Sequence, residues 1–235
     1  MACCLHRLGQ KAERMSRVAL CFAGLPRMTD VSTASWRALI NQHDTDIFVH
    51  AWADSDPQQL QQWIAANYAP RVMVVEKPIT FNTEIYKSER IWAYRSDPKN
   101  VLSMWYSIGR SLRMADKYAD ANNITYDYVC RARFDWHCDS FDLQPFDGLT
   151  VPDDPGLCNH HFQHRGKWYV AHNDQFGYGS MSVMRDYGET FHRIPWLYSV
   201  DKIDFCSELF LTTNMITKRI PVHLQKDWTY RMVRA

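Results

Sequence analysis

At 235 residues with a formal net charge of +1, the chain fits one large α/β domain or two small ones and lacks the electrostatic footprint of a general nucleic-acid binder. A hydrophobic share of 46% and a charged share of 23% exclude a disordered or fibrous chain, and no apolar run reaches the length of a bilayer span. Seven cysteines, odd in number and without a CxxC pair, read as reduced thiols, and the first residues contain no secretory signal core, so a soluble cytoplasmic protein is expected.

Residues 1–14 precede a second methionine, Met15, and are expected to be a dispensable extension ahead of a single domain over 15–235. Arg17 to Ala23 is a continuous apolar run, the pattern of a parallel strand buried on both faces, closed by the turn Gly24-Leu-Pro-Arg27. A helix over Thr29–Gln42, a strand over Asp46–Trp52, a helix over Pro57–Tyr68 and a strand over Arg71–Val75 follow. This alternation predicts a doubly wound, mostly parallel sheet with helices on both faces, joined by right-handed crossovers. The polar stretch Glu76–Pro98, with aromatic anchors Phe81, Tyr86, Trp92 and Tyr94, reads as a mobile loop over the site. Helical spacing from Asn100 to Asn122 predicts a long amphipathic helix, and Tyr128–Asp135 a strand. Beyond it come a short strand at Gly148–Val151, a turn-rich stretch at His160–Asn173, helices at Met181–Arg193 and Asp204–Lys218, and a last strand at Ile220–Leu224.

Three ionic clusters fall at expected strand ends or turns. Gly24 lets a ligand approach the backbone closely, and Arg27 reads either as a phosphate partner or as a solvent arginine. Alternation along a strand would put Arg131, Arg133, Asp135 and His137 on one face. There the arginines suit phosphate, and Asp135 with His137 suits Mn²⁺ or another divalent cation; the competing reading is an arginine–aspartate ladder. In His172-Asn-Asp174-Gln-Phe-Gly177-Tyr-Gly179-Ser180, Asp174 is a candidate general base at a loop apex, unless the segment is only an Asx turn with Ser180 as a helix cap. Glu208, opening the last helix, is a second candidate catalytic carboxylate that is also explained by dipole matching. Cys158, His160, His161 and His164 match no zinc spacing, and His223 reads as a structural histidine.

The ordered set Gly24-x-Pro-Arg27, Asp46-Ile-Phe-Val-His-Ala-Trp52, Met104-Trp-Tyr-Ser-Ile108, Tyr126-Asp-Tyr-Val-x-Arg-x-Arg-Phe-Asp135, Asn173-Asp-Gln-Phe-Gly-Tyr-Gly-Ser180 and Ser207-Glu-Leu-Phe-Leu211 resembles a family of small GT-A-like glycosyltransferases of bacteria, phages and large viruses. The resemblance runs from about Arg17 to about Leu224 and implies a GT-A-like (Rossmann-like) fold. It also implies a nucleotide-sugar donor across the carboxyl edge of the sheet, Mn²⁺ or Mg²⁺ at Asp135, and Asp174 on the acceptor side. The chain departs from the family's Asp-x-Asp motif, having Asp135-Trp136-His137 instead. The expected activity is transfer of a hexose or pentose to a hydroxyl of a glycan, or to a hydroxymethylated DNA base reached through Arg90, Arg95, Lys99, Arg110 and Arg113. A non-catalytic nucleotide-sugar or glycan-binding module that keeps the fold is the alternative.

Overall fold

A computed structural model describes residues 15–27, 30–91, 97–153 and 161–233. The expectation for residues 1–14 lies outside them. The first half alternates strand and helix: β1 (Arg17–Gly24), α1 (Asp30–Gln42), β2 (Asp44–Trp52), α2 (Pro57–Tyr68), β3 (Val72–Glu76), α3 (Pro98–Asn122) and β4 (Tyr128–Ala132). The second half mixes short strands with three helices: β5 (Trp136–Cys138), β6 (Leu149–Pro152), β7 (His161–His164), β8 (Lys167–Val170), β9 (Gly177–Gly179), α4 (Met181–Gly188), α5 (Thr190–Ser199), α6 (Ser207–Lys218), β10 (Val222–Gln225) and β11 (Tyr230–Met232).

Seven strands form the central sheet in the order β10-β6-β9-β4-β1-β2-β3. Its pairings are parallel except at β9, which runs antiparallel to β4 and to β6. Alternate residues of β1 serve two cores. Ala19, Cys21 and Ala23 pack with α3 and the later helices, whereas Val18, Leu20 and Phe22 pack with α1 and α2. Both faces being covered explains why β1 reads as an unbroken apolar run.

Local signals account for the helix ends. Asp56 caps α2 by accepting from the amides of Gln58 and Gln59 at 2.9 and 3.2 Å, with Pro57 in the first turn. Asp97 caps Lys99 at 2.9 Å ahead of Pro98, and Asn123 ends α3 in the left-handed region with φ of 57°.

Four expectations are corrected. The helix expected over Met181–Arg193 breaks at Glu189 into α4 and α5. The turn-rich stretch holds the β7–β8 hairpin. Gly177-Tyr-Gly179, in the segment read as a loop apex and Asx turn, is strand β9, a reversed strand wedged between β4 and β6. A Cβ on Gly179 there would lie 2.8 Å from the Gly148 carbonyl and 2.9 Å from Val183 Cγ1, so close packing requires the glycine. Finally, the strand expected to reach Asp135 ends at Ala132, and Phe134 and Asp135 form a turn into β5. The alternation that put Arg131 and His137 on one face is therefore interrupted.

Candidate functional site

Chain order along the sheet leaves one natural crevice. From β1 the chain moves outward through β2 to β3, then returns on the other side of β1 to build β4. Helices leave adjacent strands in opposite directions at such a switch point, and a gap opens beyond their carboxyl ends. A cleft of about 730 Å³ lies there. It is lined by Gly24 and Arg27 after β1, Trp52 at the end of β2, and Arg131, Arg133 and Asp135 at the end of β4. Asp174 before β9, Ser207 and Glu208 of α6, and Met232 of β11 also line it.

Arg131 is the unusual group. It is fully buried, and its Nε and both terminal nitrogens have no hydrogen-bond partner among the described residues. Burial pulls its pKa down, with Arg133 adding to that, while Tyr187, Asp174 and Asp135 oppose the change at a distance. A buried cation with no hydrogen bonds is costly, and an anion taken up beside it would supply the oxygens it lacks.

Arg133 is paired. Its Nε and one terminal nitrogen donate to the two oxygens of Asp135 at 2.9 and 3.0 Å. Burial works against the charged guanidinium, but this bidentate pairing outweighs it and the pKa is raised. Both oxygens of Asp135 thus accept from one arginine. The ladder weighed for this stretch exists between these two residues.

His137 is not part of the cleft lining. It sits on β5, held by antiparallel pairing with β11, and its Nε2 lies 3.0 Å from Asp139 Oδ1. Asp135 and His137 are therefore not brought together as a ligand pair. Among the described residues, no three His, Cys, Asp or Glu side chains form a group that could hold a metal ion. Cys158 and His160 lie outside the described residues. His161 is exposed and His164 buried on β7, on different sides of the strand.

Asp174 is buried in the cleft wall. Ser207 donates its hydroxyl to Asp174 Oδ2, Trp105 donates its indole N–H to Ser207 Oγ at 3.0 Å, and Tyr187 donates to the Asp174 carbonyl at 3.3 Å. The neighbouring Asn173 forms the Asx turn, accepting the Gln175 amide at 2.7 Å, and Ser180 caps α4 through Val183 at 3.4 Å. Glu208 lies in the first turn of α6 and accepts from the Cys206 thiol at 3.0 Å.

The cleft gathers Gly24, Arg27, Arg131, Arg133, Asp135, Asp174 and Glu208 and leaves His137 out. Trp52 and Ser207 were missed. Trp52 ends a strand next to the switch point, a position that alone marks it, and its buried Nε1 has no partner among the described residues. Ser207 stands directly before Glu208 in a motif read only for its carboxylate.

The segment read as a lid is fastened elsewhere. Tyr86 packs on Tyr198 and Phe205, the Lys87 amide donates to Tyr198 Oη at 2.8 Å, and Arg90 donates to the carbonyls of Tyr198 and Ile203 at 3.1 and 2.9 Å. None of residues 77–91 lines the cleft. Trp92 and Tyr94 lie outside the described residues. Of the arginines considered for DNA, Arg90 is thus engaged internally and Arg110 has a buried Nε, while Arg95 is not described. No helix among the described residues is long and apolar enough to cross a membrane.

The chain belongs to the family described as "Domain of unknown function (DUF7796)", which matches residues 13–230. No curated protein matches. Among solved structures, the chain is similar to a nucleoside-diphosphate-sugar pyrophosphorylase from Vibrio cholerae RC9, at 12% identity over 89% of this chain and 91% of that one. The TM-score of 0.46 makes this likeness too weak to carry an argument. The functional reading rests on the cleft.

Proposed function

We propose that this member of the DUF7796 family is a glycosyltransferase that takes a sugar from a nucleoside diphosphate and passes it to a hydroxyl acceptor. The observation that carries the reading is Arg131, a buried guanidinium without a hydrogen-bond partner among the described residues, in the wall of the switch-point cleft. A diphosphate supplies the oxygens that such a group lacks.

In this reading the acceptor oxygen attacks the anomeric carbon. The bond from that carbon to the diphosphate breaks, its electron pair leaves on the diphosphate, and the hydroxyl proton passes to a carboxylate. Arg131, with Arg133 beside it, stabilises the charge that develops on the leaving group. Asp174, oriented by Ser207, receives the proton, and Glu208 is the second carboxylate within the same walls. Asp135 holds Arg133 in place through both of its oxygens. The Asp135–His137 pair does not fit a metal as placed, so no step is assigned to Mn²⁺ or Mg²⁺. Engagement of Arg90 within the fold favours a glycan over a DNA acceptor.

A panel of nucleoside diphosphates and nucleotide sugars, with Mn²⁺ or with EDTA, tests the reading by thermal shift and by sugar release. A ligand bound only by the native state raises the melting temperature. Asp174→Asn is expected to keep donor binding and lose turnover by about 10²–10⁴-fold. Binding with no sugar release under any condition would instead mark a non-catalytic module. If no nucleoside diphosphate raises the melting temperature, the donor site is wrong.

A further inference from the structure

Gly24 at the cleft is held from behind by a line of side chains that reaches the far edge of the sheet. It closes β1 with φ of 104°, and a Cβ built there would meet nothing within 4 Å. The left-handed backbone calls for glycine, and the open space beside it admits a ligand to the main chain. Its amide does not face that space freely, because it donates to Ser107 Oγ at 2.8 Å. Ser107, on α3 with no exposed surface, lies 2.8 Å from Nδ1 of His50 on β2. The fully buried His50 in turn places Nε2 at 2.9 Å from Oε1 of Glu76, the last residue of β3.

The line is satisfied with the His50 ring neutral, and its contact with Gly24 survives protonation. Burial lowers the His50 pKa below 6.5; Glu76 opposes this, and Arg110 and Arg113 on α3 reinforce it. In the neutral ring Nε2–H donates to Glu76, the Ser107 hydroxyl donates to Nδ1, and Ser107 Oγ accepts the Gly24 amide. A protonated ring leaves the Gly24 contact intact. The Ser107 proton then turns to the His50 carbonyl, 3.0 Å away, and Nδ1–H donates to Ser107 Oγ. A serine, histidine and carboxylate in a row also describes an activated nucleophile. Here Ser107 does not line the cleft and its oxygen already accepts an amide, so it is not placed as a nucleophile.

We infer that Glu76, His50 and Ser107 are positioning residues that fix the Gly24 turn so that its open face receives the phosphate-bearing ligand. The inference rests on the phosphate reading of the cleft but is read out separately from it. Three variants of the full chain, Ser107→Ala, Glu76→Ala and Glu76→Gln, serve as the test. Each is measured for amide exchange at Gly24 without ligand, for affinity toward inorganic pyrophosphate, and for melting temperature.

Ser107→Ala is expected to speed Gly24 exchange and to weaken pyrophosphate binding about tenfold, equivalent to about 1.4 kcal/mol. Glu76→Ala should do the same to a smaller extent, and it keeps the test alive if Ser107→Ala does not fold. Glu76→Gln, which still accepts from Nε2–H, should restore both readouts. Gly24 exchange unchanged in Ser107→Ala and Glu76→Ala overturns the line whatever the ligand. Faster exchange with unchanged affinity reduces it to a structural brace and also overturns the inference. Failure of wild-type protein to bind pyrophosphate removes the phosphate reading itself, and the positioning role with it, while Gly24 exchange still reports whether the line holds the turn.

Discussion

At the amino end of the central sheet, the 1% exposed Asp46 accepts hydrogen bonds from Arg17, Arg71 and Tyr126 at 2.8, 2.6 and 2.9 Å. At the carboxyl end, Arg131 is fully buried, and no described residue bonds to its guanidinium. Both are buried charges beside the same strands, yet one is complete and the other is not. A charge that serves the fold finds its partners within the fold, because an unpaired one costs several kcal/mol. A charge left incomplete at a switch-point cleft is where the proposed function seats a partner from outside. Burial is common to both ends; satisfaction is what separates them.

The largest expected effect of a substitution is at the satisfied end. Asp46→Ala leaves two arginines and a tyrosine hydroxyl facing each other, and breaking a buried pair in this way costs about 3–5 kcal/mol. Arg17 and Arg71 reach solvent, with side-chain exposures of 31% and 55%, which puts the expected loss at the lower end of that range. Chemical denaturation measures it, and pyrophosphate affinity of the folded protein should not change. A change in affinity comparable to that of a cleft variant would erase the distinction between the two ends.

Arg131→Met reverses the pattern. Pyrophosphate affinity should fall by about 100-fold, equivalent to about 2.7 kcal/mol, while the melting temperature holds or rises, since replacing a buried charge with an apolar side chain is often neutral or stabilising. A variant that melts lower and binds normally would make Arg131 a structural group with an unseen partner.

Acid separates the ends again. Burial pushes the Asp46 carboxyl up, but the bonds from Arg71, Tyr126 and Arg17 outweigh it, and its folded pKa lies below 3.8. Its stabilisation is thus fully present above that value and is lost as pH falls through the lower, folded pKa. Wild-type protein should lose stability below a pH of about 4, with a shallower loss in Asp46→Asn.

Much of the fold was legible in the sequence, and the reasons the reading stopped are physical. The apolar run Arg17–Ala23, the Asp-Pro openings of α2 and α3 and the helical spacing within α3 are local signals, and the structure follows them. Their alternation placed Gly24 at the end of the first strand and Arg131 and Arg133 near the end of a later one. Asp46 was read only as the start of a strand, since Arg71 and Tyr126 lie 25 and 80 residues away and only the fold brings them to it. His137 was placed by extending an alternation that β11, far along the chain, interrupts by pairing with β5. The His50–Ser107 contact spans 57 residues, and no local pattern announces it.

Arg27 sharpens the comparison from within the cleft and carries the smallest effect. It lines the same cavity as Arg131 but is exposed, at the rim after the Gly24 turn. Water and salt screen an exposed charge, so its contact with a phosphate contributes about 1 kcal/mol at most. Arg27→Ala is therefore expected to weaken pyrophosphate binding by less than about fivefold and to leave the melting temperature unchanged. Its deficit should also fade as ionic strength rises toward 1 M, where the screening length shrinks to about 3 Å. The deficit of Arg131→Met should persist under the same salt, because the buried guanidinium is shielded from counterions. Calorimetric titrations of both variants across a salt series make the measurement. Parallel salt dependence in the two would mean that Arg131 meets its anion in open solvent, and the incomplete charge would then lose its meaning as a mark of the site.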